Sequence, residues 1–136
     1  MERFDKVKKA RERFGETNDC SVVATSIAAR VPYNVAHAAL KAQGRNNRNG
    51  TTPARMLKAL EALGCEWEQV MEPRQANGSR YTMKTIGQAC RRGFYIVLVN
   101  GHVAAVVNGQ VEDWTNDRRH HVRAYWKVTV PKGSRS

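Results

Sequence analysis

Acidic residues are scarce: 12 Asp plus Glu stand against 23 Lys plus Arg in 136 residues, a net charge of +11. That balance disfavours a cationic partner and suits an acidic one, with nucleic acid the first to consider. The basic residues are scattered, however, over 6–13, 45–48, 91–92, 118–119 and the stretch after 132, and no RNP-like, zinc-finger or KH pattern accompanies them. A solvated basic surface that keeps a small protein soluble accounts for the charge equally well. Cysteine is also sparse. Cys20, Cys65 and Cys90 are odd in number and show no C-x-x-C spacing, which argues against a disulfide framework or a zinc ribbon and for a reducing compartment. No apolar run approaches the ~18 residues that span a bilayer, and no apolar core follows the basic stretch at 1–13 as a signal peptide requires. The expectation is a soluble, cytoplasmic protein with no membrane partner, no cofactor and no metal.

What is present is a hydrophobic content of 41%, enough for one compact core. Residues 1–15 read as a short charged helix, 16–130 as the domain and 131–136 as a disordered tail. Cys20, Val23, Ala24, Ile27, Ala28 and Val31 form one stripe of an amphipathic helix that stops before Pro32. Pro32-Tyr33-Asn34 opens a second, Ala-rich helix that runs through Ala42 and is closed by Gly44, with His37 in a structural or surface role. The polar loop 44–50 follows. Thr52 and Pro53 then open a third helix, which carries Met56, Leu57, Leu60 and Leu63 and ends at Gly64. Cys65 to Val70 alternates like a half-buried strand, with Cys65 in the core. After a loop over 72–80, Thr82 caps a short helix with Met83, Ile86 and Cys90 inward. Phe94 to Val99 is a continuous apolar run, as in a central strand covered on both faces. Residues 115–121 read as a polar turn, and 122–130 alternate as a last strand. Helices first and antiparallel strands last define an α+β layout, with a helix packed on a sheet.

The most informative stretch is 101–114. Asn108-Gly109 separates two apolar runs and suits a two-residue hairpin turn, because both positions need positive φ. In that register Val107 faces Gln110, Ala104 faces Asp113, and His102 lies diagonal to Asp113 on the same face. A carboxylate so placed can orient an imidazole as a base. The candidate nucleophile is at the other end of the domain. Asn18-Asp19 reads as a helix N-cap, which puts Cys20 in the first turn, where helix N–H groups and the helix dipole lower a thiol pKa.

Asp19-Cys20 at a helix start, Gly101-His102 at a strand start and a hairpin leading to Asp113 together resemble the papain-like cysteine peptidases. The likeness is to their C39-like branch and to short bacteriophage-encoded proteins of that type, and it covers roughly residues 16–128. It implies a papain-like fold with N-terminal helices packed on a C-terminal antiparallel sheet. It further implies that Cys20 attacks an amide carbonyl, that His102 takes and returns the proton, and that Asp113 fixes the imidazole tautomer. The Cys20 N–H would supply one oxyanion donor. Where the family usually carries Gln, six positions before the cysteine, this chain has Phe14, which leaves Asn18 as the candidate second donor.

Other readings of the same residues stay open. Asp117 is an alternative orienting acid. Cys20, on an apolar stripe, is equally a small core residue, and His102 with Asp113 is equally a cross-strand surface pair. Zinc held by Cys20, His102 and a carboxylate, with His120 or His121 nearby, lacks the ligand spacing of known sites. The functional alternatives are therefore three. One is a thiol hydrolase acting on a peptide, isopeptide or related amide in a peptide or protein substrate. Another is a non-catalytic binding protein that docks on a host protein, with Arg45, Arg48, Arg118 and Arg119 contacting an acidic partner. The third is a nucleic-acid binder driven by charge, whose affinity would fall steeply with salt.

Overall fold

The computed structural model of the chain describes residues 20–45, 52–70, 78–99, 102–112 and 121–130. Three helices, α1 (Cys20–Ala29), α2 (Tyr33–Ala42) and α3 (Pro53–Ala62), precede or flank five strands. The strands are β1 (Glu66–Val70), β2 (Phe94–Val99), β3 (His102–Val107), β4 (Gln110–Val111) and β5 (Ala124–Thr129). They form one antiparallel sheet in the order β1-β5-β2-β3-β4. This is the expected α+β architecture. The expected first helix over 1–15 and the tail 131–136 lie outside the described residues, as do residues 72–77 of the loop expected over 72–80.

All three helices end the same way. The N–H of Gly44 donates to Lys41 and that of Arg45 to Leu40, while Gly64 and Cys65 repeat the pattern on Glu61 and Leu60. These are Schellman closures, and the two glycines sit at φ +101° and +82° as that closure requires. α1 closes with Arg30 to Ile27 and Val31 to Ser26. Here the left-handed position is held by Arg30, at φ +61°. Its guanidinium lies 3.7 Å from the centre of the Phe94 ring, a cation–π contact that offsets the backbone cost. The helix therefore ends at Ala29, two residues short of the stripe read from the sequence.

The sheet divides the interior into two cores. On one side α1, α2 and α3 pack on Val103, Ala105 and Val107 of β3, Ile96 of β2, and Trp126 and Val128 of β5. α1 is buried all round from Ser21 to Ala29, not amphipathic, because it is enclosed between the sheet and the other two helices. Its Ala and Ser residues permit that close approach. On the other side Tyr95, Val97, Val99, Ala104, Val106, Val111 and Tyr125 are covered by Met83, Ile86 and Cys90. The covering segment forms a 3₁₀ turn at Ile86–Gln88 in place of the expected helix, and Thr85 Oγ1 accepts from the Thr82 N–H. β2 is thus central and covered on both faces, as its unbroken apolar sequence requires.

This second core has a titration consequence. Burial pushes the Cys90 thiol well above the ordinary thiol range, up to about 12. The Tyr95 phenol is raised as well, first by burial and then by the neighbouring Cys90 charge. In the unfolded chain both groups ionise at their ordinary values, so the advantage of keeping them neutral is complete below about pH 9 and is lost as pH rises toward about 12. Urea midpoints should therefore fall between pH 9 and 11, and Cys90→Ala should flatten that dependence.

Candidate active site

Asn108 and Gly109 have φ of +49° and +86°, the two-residue turn expected from their identities. The turn is tied to the start of β2: the Asn108 N–H donates to the Gly93 carbonyl at 2.9 Å, and the Gly93 N–H donates to Asn108 Oδ1 at 2.8 Å. With the turn fixed, Val107 pairs with Gln110 and Val106 with Val111. The ladder continues one step further through the Glu112 N–H, which donates to the Ala105 carbonyl at 2.9 Å. Asp113 is the next residue and lies outside the described residues, as do Asn18, Phe14, Asp117, His120, Arg48, Arg118 and Arg119.

Cys20 is the first residue of α1 and is partly buried against the helical core. His102 is the first residue of β3 and is likewise half-buried. Their relative placement follows from how α1 lies on the sheet. α1 packs mainly along β3. Its C-terminal end is pinned to Phe94 by Arg30, and Phe94 pairs with Val107 at the end of β3. A helix of 10 residues rises about 15 Å and a strand of 6 spans about 20 Å, so the two starts fall at the same end of the sheet. Helix and strand run in the same sense, with the thiol at the head of one and the imidazole at the head of the other.

Pleating separates them in a second direction. His102 pairs with Val99 and alternates with Ala104 and Val106, all of the core opposite the helices. Cys20 belongs to the helical side. The structure thus brings the two residues to one end of the sheet and sets them on opposite sides of the β3 pleat.

Glu112 went unnoticed in the sequence. It is 2% exposed, and alternation from Val111 turns it toward the side covered by α1. The signal was available: the register that puts residue 113 on the His102 face puts its neighbour on the other. A carboxylate buried on the helical side of the sheet is a functional candidate in its own right. The Ser21 and Thr25 hydroxyls, one turn apart on α1, are buried with no hydrogen-bond partner among the described residues.

Arg45 requires a correction. It was expected as a contact for an acidic partner, yet it is 3% exposed. The Schellman closure of α2 turns the chain inward there, with the Arg45 N–H bonded to Leu40, so its guanidinium is not on the surface. Cys65 and Cys90 are buried, as their patterns imply. No group of three His, Cys, Asp or Glu suited to a metal ion occurs among the described residues. None of the described helices is long and apolar enough to cross a membrane.

Comparison of the chain with protein-family models, with curated proteins and with solved structures gives no match. The described residues form an α+β domain of three helices on a five-stranded antiparallel sheet.

Proposed function

We propose that the chain is a papain-like cysteine hydrolase that cleaves a peptide, isopeptide or related amide bond. The observation that carries this reading is that α1 and β3 run in the same sense from one end of the sheet, headed by Cys20 and His102. In the proposed reaction the Cys20 thiolate adds to the carbonyl carbon, and the Cys20 N–H helps to hold the oxyanion. His102 takes the thiol proton and returns it to the leaving amine, and water then releases the acyl group from sulfur. Asp113, or Asp117 in its place, is the acid that orients the imidazole. Asn18 is the proposed second oxyanion donor.

The reaction requires the imidazole to reach the thiolate around the end of β3. The test is the pH dependence of alkylation at each cysteine of the native chain, resolved by mass spectrometry. Cys20 should label well below about 8.5, the ordinary thiol value, and His102→Ala should remove that early labelling. Cys65 and Cys90, at 5% and 0% exposure, should label only on unfolding. If Cys20 labels no earlier than an ordinary thiol, the hydrolase reading fails.

The position of His102 across the pleat from α1 favours a second reading. In it the scaffold is a non-catalytic binding protein, Cys20 is a packing residue, and basic residues of the surface engage an acidic partner such as a host protein or a nucleic-acid complex. Cys20→Ala would then leave function intact, while charge reversals at Arg48, Arg118 or Arg119 would abolish it.

A further inference from the structure

We propose that the open edge of β1 docks an extended peptide bearing Lys or Arg at alternate positions, which adds to the sheet as a further strand. This surface is separate from Cys20 and His102, and the proposal does not depend on the hydrolase reading. Among the described residues β1 is the terminal strand of the sheet, and Glu66 to Gln69 are exposed. An edge strand presents a row of backbone donors and acceptors to any chain of matching shape. Natural edges are usually blunted by lysine, proline or a bulge, and β1 carries none of these.

Its side chains specify what would fit. Trp67 pairs with Val128 on the helical side, is 37% exposed, and has its ring orientation fixed by Nε1, which donates to Glu61 Oε1 at 3.0 Å. On the other side Glu66 and Glu68 pair with Thr129 and Lys127, and these residues with Trp67 line a shallow depression. Lys127 lays its side chain over Gly93, with Cε 3.5 Å from where a Cβ there would stand, toward β2 and away from the edge. In a chain of net charge +11 this edge is locally acidic. An incoming strand with Lys or Arg at every second position sets those residues opposite Glu66 and Glu68, and its alternate apolar residues opposite Trp67. A second copy of the chain is the poorer occupant, because antiparallel self-pairing centred on Trp67 puts Glu66 against Glu68.

The test uses the full chain and a capped seven-residue peptide alternating Lys and Val. Binding is followed by fluorescence anisotropy and located by amide chemical shifts. The expected result is shifts confined to β1 and its neighbour β5, with affinity about tenfold weaker in the Glu66→Lys, Glu68→Lys double variant. The same peptide N-methylated at its three central residues keeps the charge but loses the backbone donors, and should not bind. Equal binding of the methylated peptide, shifts away from β1, no binding up to millimolar concentration, or self-association of the chain that the double variant disrupts would each overturn the proposal. Both substitutions are at exposed positions, and an unchanged thermal midpoint checks that the variant is folded.

Discussion

Cys20→Ala is expected to abolish amide hydrolysis, by a factor on the order of 10⁴ or more, while the thermal midpoint shifts by only a few degrees. The size of the kinetic effect follows from removing the atom that forms the covalent bond, which no neighbouring group replaces. The small stability effect follows from position: Cys20 is only partly buried at the head of α1, so losing its sulfur leaves no enclosed cavity. Incubation with a diverse peptide library, with new N-termini read by mass spectrometry, provides the activity measurement. Equal cleavage by the wild-type chain and the alanine variant would remove Cys20 from the chemistry. A variant that unfolds would show instead that the residue is a packing element, as the second reading holds.

Gly87→Ala should destabilise the fold by about 2–3 kcal/mol, near the upper end of what overpacking costs. A Cβ at Gly87 would run into the Gly109 carbonyl oxygen, and both partners are backbone that cannot rotate aside. The 3₁₀ turn and the β3–β4 turn are therefore in direct contact, and the hairpin is held between Gly87 below and Gly93 beside it. Urea denaturation of the variant gives the stability. Amide exchange at 106–112 distinguishes a hairpin that has shifted from a fold that has loosened throughout. A loss under about 0.5 kcal/mol would mean that the covering segment moves away easily.

Local chemistry made much of the chain legible. Gly44 and Gly64 mark helix ends because left-handed closure favours glycine, and Thr52-Pro53 marks a helix start: the Arg55 N–H donates to Thr52 Oγ1 at 3.3 Å. The Asn108-Gly109 register is legible because two-residue turns admit few residues. Misreadings came where tertiary contacts decide. Arg30 holds a left-handed closure with its guanidinium over the Phe94 ring, and Phe94 is 64 positions away in sequence. The alternation in Cys65 to Val70 predicts a strand but not that it lies at an edge, which depends on β5 inserting between β1 and β2. A second Asn-Gly pair, at 100–101, lies between β2 and β3, and Val99 pairing with His102 leaves only those two residues between the strands. The candidate site shows the same division. Sequence order places Cys20 and His102 at the heads of their elements, and the side of the sheet each one faces depends on a register that only the paired strands reveal.

A strand offers each side chain two directions, so the register of a hairpin is a binary choice. The clasp between Asn108 and Gly93 makes that choice for β3 and β4 together. A slip of one residue would exchange the two faces, turning Glu112 away from the helical side of the sheet and Val111 toward it. Residues 112 and 113 are both acidic, so either setting would direct a carboxylate toward α1, in one case from Glu112 and in the other from a side chain one methylene shorter. The turn therefore acts as a selector, deciding which of two adjacent acids the helix meets and at what reach.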